Sequence, residues 1–317
     1  MWRILYCVLF GIITSAPPLC AQDQSAALAH LSTLSQQDQL PQLIQAANSL
    51  LANPELTLSD QATTLTYLGH AYQRGGDFHT ATTYYEKALA VLERNGLHST
   101  EYATVLGALA TLYAETGQIA IAKQVLLRSE NLLEKDGDHH AEIAMIWDDL
   151  ATIAADIRSK REAHKCMARA IAELQQTNIV SPNETSAFAA TQGRIAELDG
   201  EPQTAIADYQ RSLTLWTQSH PNEHLETGWL QVLLGGAYLQ AGDIATARLL
   251  TSRGLSLLQA SSGRQSTLYF AAELAYSKVL DAAGSYDEAS KFRKEAQTSM
   301  SAESNRAKSE ISVAALH

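Results

Sequence analysis

Residues 65–89 read LTYLGHAYQRGGDFHTATTYYEKAL, and this stretch decides the fold of the chain. It fits one helix that ends at Gly76 and a second helix that packs back on the first, because glycine adopts the left-handed conformation that closes a helix. Small residues such as Gly69 and Ala81 let the two helices approach each other closely. The stretch therefore predicts a helix-turn-helix unit.

The same pattern recurs along the chain at a nearly constant period. An alanine after the turn returns every 41 or 42 residues, at Ala81, Ala122, Ala163, Ala205, Ala247 and Ala289. Five residues before the alanine stands a glycine, except in the third copy, where the residue is Arg158. Because Arg158 lacks the freedom of glycine, we expect the third turn to close less ideally or through Ser159. A fixed period of this length predicts a solenoid of stacked helix pairs.

At these positions the sequence resembles the tetratricopeptide repeat. The best copy carries the residues of that family in order, at Leu65, Leu68-Gly69, Tyr72, Gly76-Asp77-Phe78, Ala81, Tyr85 and Ala88-Leu89, and Trp147 stands at the tryptophan position in the third copy. The copies cover residues 62–297, and their period is longer than is usual in the family, as in the repeats of kinesin light chains. The resemblance implies an all-α fold, an α-solenoid whose helix-turn-helix repeats wind into a right-handed superhelix.

The two ends of the chain differ from the repeats. Residues 1–21 combine Arg3, an apolar run and small residues up to Ala21, which is typical of a cleaved signal peptide. The alternative is a retained membrane anchor, although the run has about half the length that a membrane-spanning helix needs. We therefore expect an exported protein, periplasmic or secreted, without an integral membrane span after cleavage. Residues 22–61 are interpreted as an N-terminal helical cap, residues 62–297 as six repeats, and residues 298–317 as a loose tail.

Charge and cysteine content argue against two classes of protein. Acidic residues exceed basic residues by 34 to 23 without a basic run, whereas nucleic-acid binding depends on lysine and arginine. Removal of residues 1–21 leaves Cys166 as the only cysteine, so the mature chain has no internal disulfide. The sequence therefore indicates neither a nucleic-acid-binding protein nor a disulfide scaffold.

The resemblance also implies a concave groove lined by the first helix of each repeat. Positions carried over copy by copy give a polar start, an acidic middle and an apolar patch: Tyr67, His70, Arg74, Glu115, Asp148, Asp149, Asp156, Arg194, Glu197, Trp229 and Leu233. Acids on a concave surface favour a cationic partner, and Trp229 with Leu233 would anchor an apolar side chain. The alternative is that Trp229 packs between repeats and that the acids are solvated. We expect a protein or peptide partner, and a basic one in particular.

No pattern in the sequence indicates catalysis, a metal or a cofactor. His220 and His224 flank a loop with a proline, and the acidic and histidine residues at 136–140 lack the spacing of a calcium loop. The expected function is that of a non-enzymatic protein–protein interaction scaffold. Two alternatives stay open: an adaptor subunit of a cell-envelope assembly that docks through its convex face, and a metal-binding or hydrolytic protein.

Overall fold

A computed structural model describes residues 21–37, 39–94, 96, 100–177, 181–261 and 267–299. In these ranges the chain is helical, with short turns and no strand. The helices are α1 (Ala21–Gln36), α2 (Leu40–Leu51), α3 (Leu58–Arg74), α4 (Phe78–Arg94), α5 (Thr100–Glu115), α6 (Ile119–Asp136), α7 (His140–Asp156), α8 (Lys160–Leu174), α9 (Pro182–Asp199), α10 (Pro202–Ser219), α11 (Leu225–Gln240), α12 (Ile244–Ser261), α13 (Thr267–Ala282) and α14 (286–299).

Two sequence predictions fall largely outside these ranges. Of the predicted signal peptide, residues 1–21, only Ala21 belongs to the described ranges, where it is the first residue of α1. The predicted tail lies beyond residue 299 apart from the last two residues of α14. Within the described ranges, none of the helices is both long enough and apolar enough to cross a membrane.

The helices pack as successive antiparallel pairs. The most extensive contacts join α3 to α4, α5 to α6, α7 to α8, α9 to α10 and α11 to α12. Each odd-numbered helix from α3 to α11 also contacts the next odd-numbered helix, whereas successive even-numbered helices make few or no such contacts. The odd-numbered helices therefore form a continuous inner layer and the even-numbered helices an outer one, which confirms the predicted all-α solenoid.

Buried apolar side chains form a series of clusters along the array instead of one central core. The close approach predicted at Gly69 is confirmed, and the group that approaches it is the ring of Tyr85: a Cβ atom on Gly69 would lie 2.4 Å from that ring. Gly193 has the same relation to Tyr209, at 2.7 Å. Glycine is thus required where a tyrosine of the second helix packs across the first.

The turn inside each pair from α3–α4 to α13–α14 is closed by one residue in the left-handed conformation. In the third pair this residue is Arg158, with φ 58°, the only non-glycine residue with positive φ in the described ranges. Its amide donates to the carbonyl of Ala155 at 3.0 Å, as the amide of Gly76 donates to that of Gln73 at 3.0 Å. The third turn therefore does not close through Ser159: Arg158 adopts the backbone conformation of glycine, and the turn is less ideal than the others only in the strain that this conformation costs.

Candidate functional site

The inner helices curve so far that the two ends of the array share one cavity. Residues of α3 and α5 line it from one side, and residues of α11 and α13 line it from the other. The name groove is used below for the concave face of α3, α5, α7, α9, α11 and α13. Most of the side chains that the sequence predicts for partner binding lie on these helices and face either the groove or the contacts between neighbouring inner helices.

At the start of the groove, a chain of hydrogen bonds orders four polar side chains. The Tyr85 hydroxyl donates to Gln73 Oε1 at 2.7 Å, and Gln73 Nε2 donates to Glu115 Oε2 at 2.9 Å. A hydroxyl has a single proton, so the Tyr85 oxygen must accept from His70 Nδ1, which lies 2.9 Å away. His70 therefore carries its proton on Nδ1 and leaves Nε2 as an acceptor, and the orientation of the Gln73 amide is fixed.

Burial in the groove shifts the pKa values of two of these hydrogen-bonded side chains. Burial lowers the pKa of His70 to about 4, so the ring is neutral at pH 7. Burial also raises the pKa of Glu115 to about 7, and the hydrogen bond from Gln73 opposes this shift. Tyr67 lies beside His70 in a shallow depression between α3 and α5. The start of the groove is therefore polar but carries less charge than its sequence implies.

In the middle of the groove, Asp148 does not lie where the sequence predicts. Its side chain is buried between α7 and α9, with 3% of its surface exposed, and Oδ2 accepts a hydrogen bond from Thr191 at 3.0 Å. Oδ1 is buried without a hydrogen-bond partner. Desolvation, aided by the charge of Asp149, raises the pKa of Asp148 well above its usual value. Asp148 thus belongs to the contact between neighbouring inner helices and is not displayed in the groove.

Asp149 lines a cavity of about 740 Å³ where α5, α7 and α9 meet. Burial raises the pKa of Asp149 to about 7. The same cavity is lined by the carboxylates of Asp138, Glu142 and Glu184, and His140 is the only other ionisable side chain on its wall. His140 already contacts Glu173, at 2.7 Å. The middle of the groove is therefore acidic, but of the aspartates that the sequence predicts there only Asp149 lines this cavity.

The charged residues that follow along the groove are partly neutralised. Arg194 donates a hydrogen bond to Asp156, so these two predicted groove residues pair with each other. Glu197 accepts a hydrogen bond from the Tyr209 hydroxyl at 2.7 Å, which repeats the tyrosine contact seen at Gln73. Burial raises the pKa of Glu197, opposed by the hydrogen bond from Tyr209 and by the charge of Arg194.

The apolar patch predicted in the fifth repeat lies on the apolar core. Trp229 is partly buried against the cluster that contains Val232 and Tyr269. Leu233 is partly buried against the neighbouring cluster around Tyr209. Packing against these clusters buries part of each side chain, and the rest of its surface stays exposed.

Sequence reasoning missed two acidic residues at the far side of the groove. Glu223 is buried and accepts hydrogen bonds from Trp216 Nε1 and from the backbone amides of Leu225 and Glu226. Glu226 is enclosed beside it, and burial, with a contribution from the charge of Glu223, raises the pKa of Glu226 to about 7. Glu223 precedes α11, and Glu226 lies in the first turn of this helix. Both enter the groove only because the array curves back towards α3. The stretch from His220 to Glu226 is mostly polar, but nothing in it indicates that Glu223 and Glu226 face the groove.

Glu223 also makes an ion pair across the groove. Arg74 Nη2 lies 3.4 Å from Glu223 Oε1, and Arg74 Nη1 donates to the carbonyl of Ser35 at 2.8 Å. The two partners are 149 positions apart in the chain. In a solenoid each repeat normally contacts only its neighbours, so this contact joins two walls that do not otherwise pack together.

The histidine loop near residue 220 has a packing role. The ring of His220 stacks on Trp216, with centroids 4.2 Å apart. Over the part of the chain that the structure describes, no three histidine, cysteine or acidic side chains converge in a way that would hold a metal ion. Cys166, the cysteine expected inside a helix, is buried and unpaired.

Comparison with known families gives one match, in two parts of the chain. A family model for the tetratricopeptide repeat matches residues 60–135 and 186–260. No match was found among curated protein sequences.

Several solved structures share the fold at low sequence identity. The crystal structure of the APC/C hetero-tetramer Cut9–Hcn1 gives a TM-score of 0.60 at 17% identity, over 88% of this chain and 48% of that chain. A Rap protein complexed with competence and sporulation factor gives a TM-score of 0.59 at 12% identity, over 90% of this chain and 99% of that chain. The apo form of the quorum sensor NprR from B. thuringiensis gives 0.51 at 11% identity, over 88% and 87% of the two chains. Residues 60–135 and 186–260 therefore match the tetratricopeptide repeat model, and the described part of the chain shares the all-α solenoid fold of these structures.

Proposed function

We propose that this protein is a non-catalytic scaffold that binds a basic segment of a peptide or protein partner in the groove. The observation that carries this proposal is the 740 Å³ cavity between α5, α7 and α9. Four carboxylates line it, and no lysine or arginine is among its lining residues. A concave surface with one sign of charge concentrates the field and attracts ligands of the opposite sign.

The ionisation of Asp149 supports a cationic ligand. Its pKa of about 7 reflects the free-energy cost of holding a carboxylate away from water without a paired cation. A bound ammonium or guanidinium group would supply that cation and favour the charged carboxylate. Asp149, which is partly protonated at neutral pH, would then release its proton. Apolar contacts are available beside it, because Met145 and Ile146 line the same cavity. The carbon stem of lysine or arginine can pack on such side chains while its head group reaches a carboxylate.

The fold is compatible with this role. Stacked helix pairs create extended concave surfaces, which repeat proteins use for binding. One of the structures that share the fold was crystallised as a complex with competence and sporulation factor. We also propose that the repeat unit is about 42 residues long, because the first helices of successive pairs begin at residues 58, 100, 140, 182, 225 and 267. Export to the periplasm or the medium is part of the proposal and rests on residues 1–21; N-terminal sequencing of the exported protein tests it.

A peptide selection tests the proposed ligand class. We expect a random peptide library panned against the chain to enrich lysine and arginine, and we expect the affinity of the selected peptides to fall as salt is raised. Substitution Asp149→Lys should weaken these peptides by about tenfold or more, since it places a like charge in the cavity. Titration calorimetry of each protein with the same peptide provides the measurement.

The matched control reverses one charge outside the groove. Glu86 is exposed on the outer helix α4, so Glu86→Lys changes the net charge equally and should leave the affinity within about twofold. Enrichment of uncharged or acidic peptides would contradict the proposal. Equal losses for the two variants would show that net charge, and not the groove, governs binding.

A further inference from the structure

A second cavity lies between the two walls of the groove. Its volume is about 230 Å³, and its lining comes from α3 and α5 on one side and from α11 and α13 on the other. Glu115 of α5 and Glu226 of α11 enter it from opposite walls. Leu225 and Leu268 give its far wall an apolar surface. It therefore combines two facing carboxylates with an apolar face.

The two carboxylates are not matched by cations. Glu115 accepts one hydrogen bond, from the neutral amide of Gln73. Within the described residues, the Glu226 side chain makes no hydrogen bond or ion pair, although the charges of Arg194 and Arg74 oppose the rise in its pKa. Burial dominates in both cases and raises each pKa to about 7. Each group would be fully charged at pH 7 only if a cation came close to it.

Arg74 lines the cavity but is already engaged. Its guanidinium donates to the carbonyl of Ser35 and pairs with Glu223, which is not part of the cavity wall. His70, also on the wall, is neutral at pH 7 because burial lowers its pKa to about 4. The cavity thus retains two carboxylates in excess after its own basic residues are accounted for.

We propose that this cavity takes the side chain of a single lysine of the bound partner, with its ammonium group between Glu115 and Glu226 and its carbon stem against Leu225 and Leu268. An ammonium group is compact and directs three donors outwards, so it can reach two carboxylates on opposite walls. The planar fork of arginine instead pairs best with one carboxylate in a bidentate arrangement. This site rests on the proposed function. It specifies lysine as the residue type that binds at this point of the groove.

The test compares two short peptides on the full chain. The probes are acetylated and amidated tetra-lysine and tetra-arginine, titrated calorimetrically into the wild-type protein and into the variants Glu226→Gln and Glu115→Gln. We expect each variant to lose about tenfold in affinity for tetra-lysine, the effect of one charge-assisted hydrogen bond, and clearly less for tetra-arginine. Tetra-lysine whose side chains are acetylated should bind weakly and equally to all three proteins. Asp287→Asn, an exposed change on α14, is the matched control and should bind like the wild type.

The outcomes separate this site from the proposed function. Asp149→Asn should weaken both peptides, because Asp149 lies in the other cavity. If Asp149→Asn weakens them and the two glutamate variants bind tetra-lysine as the wild type does, the proposed function stands and the lysine site is wrong. Equal losses for lysine and arginine peptides would also overturn the site. If neither peptide binds the wild-type protein, both proposals fall. Folding is checked by helicity and by urea unfolding, in which the glutamine variants should be at least as stable as the wild type because they remove a desolvated carboxylate.

Discussion

At the scale of the residue, Arg158 shows how strongly the array imposes its turn. Five other turns use glycine at the equivalent place, namely Gly76, Gly117, Gly200, Gly242 and Gly284, and all have φ between 78° and 84°. The sequence predicts the position of every one of these turns because the spacing is regular. It does not predict that Arg158 takes the same conformation, because local preference opposes it. The helices on both sides pack well enough to outweigh that preference.

This strain makes a prediction about stability. Substitution Arg158→Gly should raise the free energy of unfolding by about 1 kcal/mol, because glycine adopts positive φ without the steric cost that a Cβ atom brings. Urea unfolding followed by circular dichroism measures the change. Arg158→Ala is the matched control, since it removes the same side chain but keeps the Cβ atom, and it should gain little. A gain of equal size in both variants would mean that the arginine side chain, and not the backbone, is the source of the strain.

At the scale of the element, the difference between Asp148 and Asp149 marks what a repeat pattern can predict. Carrying family positions onto α7 places both residues in the groove, but only Asp149 lines it, whereas Asp148 is buried against α9. The pattern does not tell which of two adjacent aspartates is covered by the next inner helix. That depends on how closely α9 approaches α7, and at this contact Thr191 donates a hydrogen bond to Asp148. The helix face is predictable from the sequence, whereas burial between neighbouring helices is a property of their packing.

The raised pKa of Asp149 predicts a pH dependence of stability. In the unfolded chain this carboxyl group loses its proton near pH 4, whereas in the folded protein it keeps the proton until about pH 7. Between these values the folded state binds more protons than the unfolded state, so the free energy of unfolding falls as the pH rises. Asp149→Asn removes this titration. The variant should therefore be more stable than the wild type at pH 8 by more than about 1.4 kcal/mol, the value of one pKa unit, and differ less at pH 4.

A residue with the opposite shift serves as the control for this experiment. The hydrogen bond from Lys160 lowers the pKa of Asp199, so its charge contributes stability above pH 4 that is lost as the pH falls. Asp199→Asn should therefore reduce stability at pH 8 and have less effect at low pH. Urea unfolding of the three proteins at several pH values tests both signs. A parallel profile for Asp149→Asn and the wild type would contradict the assignment.

At the scale of the whole molecule, the contact between Arg74 and Glu223 is the feature that sequence could not predict. It joins residues on opposite walls of the groove, and it exists only because small rotations between successive helix pairs add up to a curve of the right size. No single repeat specifies that sum. The acidic character of the middle of the groove was predictable only in part, because α7 supplies Glu142 and Asp149, whereas Asp138 precedes α7 and Glu184 comes from α9. The part of the site that spans two walls was not.

This contact should have a measurable coupling energy. We expect a double-mutant cycle of Arg74→Met with Glu223→Gln to give about 1 kcal/mol or more, since the side chains are only 18% and 8% exposed. The control cycle uses Arg248 and Glu288, which lie 4.0 Å apart with about half of each side chain exposed, and it should give a few tenths of a kcal/mol at most. Urea unfolding of the seven proteins, the wild type and three variants for each cycle, provides both values. Equal coupling in the two cycles would show that the contact across the groove contributes no more than a surface pair.

The same contact has a kinetic consequence for any partner segment seated between the walls. A ligand held in an open trough can peel away from one end, whereas one enclosed beneath Arg74 and Glu223 leaves only after these side chains separate. Its residence time is then governed by how often the walls part, and salt shortens it in two ways, by weakening the ion pair and by weakening the contacts of a basic ligand with the carboxylates of the groove. For a segment bound as proposed above, one pair of side chains between repeats far apart in the chain would therefore set how long the complex lasts.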